Sequence, residues 1–95
     1  MKTQKDYKAK DGKLLRLDVE HEGDLIHSII ITGDFFIYPE EGILSIEKAL
    51  EGKRLSEVQD VFEALLKEQD LTVIGFTASD LFEALAQAMQ EPDAA

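Results

Sequence analysis

The sequence contains no cysteine. That one absence removes disulfides, thiolate-ligated zinc, iron–sulfur clusters and thiol catalysis together. Two histidines, His21 and His27, are too few for a histidine-rich metal site. No run approaches the ~20 apolar residues that a membrane-spanning helix needs, and Met1-Lys2-Thr3-Gln4-Lys5 is followed by no apolar stretch of signal-peptide kind. A soluble, cytoplasmic protein is the expectation. Internal repeats and low-complexity segments are absent, as are a phosphate-cradling glycine loop, a nucleophile elbow and an HExxH pattern.

What is present is 95 residues of strongly acidic chain. That length is one domain's worth, so residues 1–95 are expected to fold as a single domain. Folding at this size buries roughly 60 to 65% of the unfolded surface, enough for one modest core but not for an enclosed active-site cavity with its own supporting shell. The net charge of −10 is uneven. Residues 1–13 hold five Lys against Asp6 and Asp11, giving +3, whereas residues 14–95 hold five basic against eighteen acidic side chains, giving −13. Such a body repels a phosphate chain, so no nucleic-acid partner is expected; it suits a basic protein partner, or simply a solvated, soluble surface.

The chain is organised around Ile31-Thr32-Gly33-Asp34-Phe35-Phe36-Ile37-Tyr38-Pro39-Glu40-Glu41, which closes a β-rich first part and opens a helical second part. Side chains alternate along a strand, so the adjacent Phe35 and Phe36 cannot both enter one core. One of them needs a second cover, from the chain's own helices or from another protein. Upstream, Asp6 to Lys10 reads as a short polar strand and Asp11-Gly12 as a hairpin turn. Lys13 to His21 alternates Leu15, Leu17 and Val19 against Arg16, Asp18 and Glu20. After Glu22-Gly23-Asp24, Leu25 to Thr32 is apolar on both parities, which predicts a central strand covered on both sides or one carrying a bulge.

Downstream, Pro39-Glu40-Glu41 resembles a helix start, and Ile43, Leu44, Ile46 and Leu50 mark a short amphipathic helix that stops at Glu51-Gly52. Ser56-Glu57-Val58-Gln59 has a capping-box pattern before a stripe of Val58, Val61, Phe62, Leu65 and Leu66, and Gln69-Asp70 ends that helix. Leu71 to Phe76 is read as a linker rather than an edge strand. Thr77-Ala78-Ser79-Asp80 caps a third helix, closed by Pro92 and followed by a frayed tail. The fold class is α+β: a three-stranded antiparallel meander packed with three helices. Its predicted core is Leu15, Leu17, Val19, Ile29, Ile31, Leu50, Val61, Leu65 and Leu85.

The residues able to do chemistry are few. Asp34 after Gly33 reads as a metal ligand or general base, or as a turn residue whose carboxylate accepts backbone N–H bonds. Glu40 and Glu41 could join it around a cation, or serve the helix dipole. His27, mid-strand beside Leu25 and Ile29, reads as a hydrogen-bonded structural histidine. No catalytic, cofactor-binding or metal-binding residue is assigned.

Gly12-Lys13-Leu14-Leu15-Arg16-Leu17, Ile29-Ile30-Ile31-Thr32-Gly33-Asp34-Phe35-Phe36, Pro39-Glu40-Glu41, Ile43, and Ile46-Glu47-Lys48-Ala49-Leu50-Glu51-Gly52 together resemble the C-terminal accessory domain of lipoate-protein ligases. The resemblance spans residues 7–90 and is sharpest at Thr32-Gly33-Asp34-Phe35-Phe36. With Met1 at its start and no catalytic domain ahead of it, the chain looks like the free-standing small subunit of a two-part ligase. The same order of elements resembles the iron–sulfur cluster scaffold fold. The scaffold family's cysteines are replaced here by Lys10 or Asp11 and by Asp34 or Phe35, which excludes cluster binding on ligand chemistry.

The resemblance implies a non-catalytic accessory subunit. The family couples ATP to lipoate, giving lipoyl-adenylate and pyrophosphate, then transfers the lipoyl group to a lysine of an acceptor domain. ATP, magnesium and lipoate are then expected in a large catalytic subunit, the partner in a heterodimer, with lipoyl-domain acceptors engaged only indirectly and no membrane involved. Asp34, Phe35, Phe36, Tyr38, Pro39, Glu40 and Glu41 are the candidate partner-binding residues, because aromatics at a strand-to-helix junction are good interface anchors. Two alternatives stand beside this reading. One is a small acidic adaptor for a basic protein; the other is a minimal metal-dependent enzyme built on Asp34, Glu40 and Glu41.

Overall fold

A computed structural model of the protein describes residues 1–10 and 13–90. The hairpin turn expected at Asp11-Gly12, and Pro92 with the tail from Glu91 to Ala95, lie outside the described residues. Strands β1 (Lys2–Lys8), β2 (Leu14–Glu22) and β3 (Leu25–Gly33) form an antiparallel meander in the order β1-β2-β3. The alternation in β2 does what it predicts: Leu15, Leu17 and Val19 are buried, Arg16 and Glu20 are exposed. On the wet face Arg16 stands directly opposite Asp6 and grips it through Nε and Nη2 at 2.7 and 3.1 Å. That hydrogen bond holds the Asp6 carboxyl below the usual carboxylate range.

The first strand begins at Lys2 rather than Asp6. Its inward positions are Thr3, Lys5 and Tyr7, all half-buried, so it carries no apolar alternation to announce itself. Long-range pairing holds it instead: the Met1 ammonium donates to the His21 carbonyl at 2.8 Å and His21 N–H returns a bond to Met1 at 2.9 Å. The His21 ring is buried between Thr3 and Gly23, with Nδ1 3.0 Å from the Gly23 carbonyl and Nε2 3.1 Å from the Thr3 hydroxyl. A carbonyl can only accept, so Nδ1 carries the proton in that bond. The structural histidine is therefore His21. His27, expected in that role, is exposed and lies 3.2 Å from the Glu22 carboxylate.

The reason lies in a bulge. Glu20 opposes Ser28 but His21 opposes Ile26, so His27 is the extra residue. The slip turns Ile26 inward together with Ile29 and Ile31, and leaves Ile30 56% exposed on the outer face. The bulge thus explains why Ile26 shares the inner face with residues of the other parity, Ile30 is an apolar side chain on the outer face, and β3 is an edge strand rather than a central one. Its free side is partly closed within the chain. Ile26 N–H donates to Lys53 and its carbonyl accepts from Gly52, while Ile31 N–H donates to the Glu47 carboxylate at 2.8 Å. An unpaired edge is a template for pairing with other chains, and these bonds remove part of it.

Helices α1 (Gly42–Leu50) and α3 (Ala78–Gln90) lie on the inner face of the sheet, and α2 (Val58–Glu68), entered through a 3₁₀ turn at Leu55–Glu57, packs mainly against those two helices. Capping at α3 follows the sequence closely: Asp80 N–H donates to the Thr77 hydroxyl and Thr77 N–H donates to the Asp80 carboxylate. Ahead of α2 the reciprocal bond is shifted, with Arg54 N–H rather than Ser56 bonded to Glu57 at 2.8 Å. Pro39-Glu40-Glu41 form a turn before α1, whose first residue is Gly42. None of the three is helical, so the placement of Pro39 in the first helical turn is corrected.

Of the expected core, Leu15, Leu17, Val19, Ile29, Ile31, Leu50 and Leu85 are buried, whereas Val61 and Leu65 are only half-buried. Because α2 rests on two helices instead of the sheet, its deepest line is Val58 and Phe62. The segment read as a linker also pairs. Thr72–Ile74 (β5) runs antiparallel to Phe36–Tyr38 (β4), making a second, two-stranded sheet of a length too short for alternation to reveal. Truncation of Phe62 to Ala should cost about 3 to 5 kcal/mol and of Leu65 to Ala about 1 kcal/mol, read from urea midpoints at constant slope. The reverse ranking would mean that α2 faces the other way.

Candidate functional site

The junction after β3 is built by close backbone approach. Gly33 has φ +143, and a Cβ there would run into the Leu14 carbonyl oxygen, which accepts the Asp34 N–H at 2.8 Å. Gly75 has φ +122, and a Cβ there would meet the Cβ of Phe35 at 2.9 Å. Both positions need a residue without a side chain. Between these contacts Phe35 is half-buried, its ring edge-on to Phe76 at 5.1 Å and 84°. Phe76 in turn lies 5.7 Å from Phe62 of α2. Three aromatic rings thus run from the helical layer to the end of the sheet.

With Phe35 turned in, period-two alternation turns Phe36 out: it is 62% exposed. Ile37 is buried again and Tyr38 is 56% exposed. Across the ribbon Phe36 opposes Ile74, itself 53% exposed, and Tyr38 opposes the exposed Thr72, while Ile37 opposes the half-buried Val73. The ribbon therefore has a dry inner face and an outer face carrying Phe36, Tyr38 and Ile74. Beside it runs an open groove of about 470 Å³ lined by Ile31, Phe36, Ile37, Tyr38, Ile43 and Glu40. A second groove of about 430 Å³, on the outer face of the main sheet, is bordered by Lys2, Asp18, Glu20, Ser28 and Ile30.

The candidate residues Asp34, Phe36, Tyr38, Pro39, Glu40 and Glu41 are all exposed at this junction. Phe35 differs: it anchors the junction from inside. The Asp34 carboxylate accepts no backbone N–H among the described residues, so its expected turn-capping role is not the one it plays; its main-chain N–H makes the bond instead. Glu40 and Glu41 precede α1, and Glu41, at the helix start, makes no side-chain capping bond. Among the described residues no three acidic or imidazole side chains converge as a metal cage would require, so Asp34, Glu40 and Glu41 stand as separate surface charges. Sequence reasoning missed Ile74. The apolar pair Val73-Ile74 before Gly75 was visible, but its meaning depends on pairing with Phe36–Tyr38.

Arg54 is held by Asp24 at 2.7 Å, and Arg16, opposite Thr32 of β3, by Asp6. Tyr7, half-buried under α3, has its hydroxyl pushed up by burial and by the nearby Asp80 and Glu83 carboxylates. No helix among the described residues is long and apolar enough to cross a membrane.

No protein-family model matches the sequence. A curated protein does: lipoate-protein ligase A subunit 2 of Thermoplasma acidophilum is 33% identical over 85 residues, which is 90% of this chain and 88% of that protein. A solved structure of the lipoylation system of the same organism, a bi-partite lipoate protein ligase and its E2 lipoyl domain, contains a chain that matches with a TM-score of 0.76 at 32% identity, covering 90% of this chain and 94% of the other. A likeness that runs nearly end to end in both sequence and fold shows that this chain belongs to the family of the second subunits of bipartite lipoate-protein ligases.

Proposed function

We propose that the protein is the non-catalytic accessory subunit of a lipoate-protein ligase, acting with a large catalytic subunit in the ATP-dependent activation of lipoate to lipoyl-adenylate. The observation that carries this is the 33% identity, spread over 90% of the chain, to the second subunit of such a ligase. ATP, magnesium and lipoate belong to the catalytic partner in this reading, and the work is set in the cytoplasm. The partner contact is assigned to the junction from Asp34 to Glu41, supported by the exposed Phe36 and Tyr38 there. The single-domain reading of residues 1–95 and a kinship with the iron–sulfur scaffold fold belong to the same proposal, supported by the order of strands and helices.

A subunit without a reacting group can still raise a rate. Adenylation must hold two substrates in line while charge develops on the phosphate, so it gains from a closed, water-excluding site whose loops are ordered by a neighbour. Transfer to a bulky acceptor lysine needs access instead. The accessory subunit is therefore placed at the first half-reaction.

In a pyrophosphate-release assay the chain alone should give no turnover, and adding it to the catalytic subunit should raise the rate strongly. Transfer started from synthetic lipoyl-adenylate should depend on it far less. Equal pyrophosphate release with and without the chain would remove the accessory role. Truncating the exposed Phe36 to Ala should weaken the complex by about 2 kcal/mol in titration calorimetry with no change in thermal midpoint, as expected of an interface anchor. Undiminished affinity would remove Phe36 from the contact.

A further inference from the structure

The outer face of the ribbon is assembled from two segments far apart in the chain. Phe36 and Ile74 are directly paired across β4 and β5, and Tyr38 stands on the same face two residues on. All three are more than half exposed. Contiguous exposed apolar side chains mark a covered face more often than a solvated one. Ile30 is just as exposed, but on the main sheet its direct cross-strand partner is Asp18, whereas Phe36 is paired with the apolar Ile74.

The surroundings of the ribbon state the chemistry of its cover. Residues 34–41 contain three carboxylates and no basic residue. Asp34, Glu40 and Glu41 are exposed, and none of them takes part in an ion pair among the described residues, whereas Asp6, Glu22 and Asp24 each have a cationic or imidazole partner. A second copy of this chain is a poor cover, because a twofold contact would set these acidic groups against each other. A surface that joins an apolar pocket to a basic border matches both features.

We propose that the catalytic subunit docks across both strands of the ribbon, seating an apolar patch on Phe36, Tyr38 and Ile74 and setting Lys or Arg side chains against Asp34, Glu40 and Glu41. This rests on the accessory-subunit reading and adds to it β5 as half of the contact and a charge requirement on the partner. Apolar contact supplies the hold, and the unpaired acidic border supplies orientation and attraction that salt weakens.

The test is calorimetric titration of the catalytic subunit with this chain and its variants. Ile74→Ala should raise Kd by about thirtyfold, the fold-change that corresponds to an anchor truncation of about 2 kcal/mol. Ile74→Thr, which keeps the β-branch, should do much the same, while Ile30→Ala, equally exposed on the other face, should bind as the unaltered chain does. Affinity of the unaltered chain should fall as salt rises, and the combined Asp34→Asn, Glu40→Gln, Glu41→Gln variant should bind more weakly with a flatter salt dependence. Unchanged Kd for both Ile74 variants, an equal loss for Ile30→Ala, or an undiminished salt slope in the triple variant would each overturn the proposal. If the unaltered chain fails to bind, the accessory-subunit reading itself falls, a result distinct from loss at Ile74 alone.

Discussion

The edge-to-face contact of Phe35 with Phe76, with Phe62 behind Phe76, is the contact on which the rest of the molecule depends. It ties the end of the sheet to α2, the helix that rests mainly on other helices. Aromatic pairs of this kind add about 0.5 to 1.5 kcal/mol beyond the area they bury. Their larger effect here is directional. Once Phe35 is fixed inward, the strand that follows has no freedom left about which side chains face solvent. Gly33 and Gly75 make that fixation possible, because the backbone passes too close to Leu14 and to Phe35 for any side chain to fit.

A small domain has limited means of presenting a rigid surface, since its core is modest and loops outside it move. This chain solves the problem by backing the exposed side chains with a paired strand. Ile37 and Val73 lie beneath the ribbon against the core, so Phe36, Tyr38 and Ile74 are presented from a sheet rather than from a loop. Rigid aromatic presentation lowers the ordering cost of association. The edge of the main sheet is handled in the opposite way. Lys53, Gly52 and Glu47 bond Ile26 and Ile31 of β3 from within the chain, which blunts open-ended strand pairing there.

The acidic body fits the same division of labour. Residues 34–41 contain no Lys or Arg, so the junction presents no side-chain cation beside its three carboxylates. Charge of this sign favours encounter with a basic surface and suppresses self-association.

Much of this was legible in the sequence because it rests on local periodicity. The alternation in β2, the inward Ile46 and Leu50 of α1, the Thr77–Asp80 cap and the split between Phe35 and Phe36 are all consequences of neighbours within a few residues, although Leu44, expected on the apolar stripe of α1, is 64% exposed. The resemblance around Thr32-Gly33-Asp34-Phe35-Phe36 likewise named the family that the relatives show. What the tertiary structure decided are matters of long-range pairing. The bulge at His27, the edge position of β3, the half-burial of Leu65 and the strand at Thr72–Ile74 each depend on residues distant in the chain. Ile74 shows the difference most plainly: its segment reads as a linker, and only the register with Phe36 sets it on the outer face of a strand pair, because a side chain's face is set by its pairing partner and not by its own hydrophobicity.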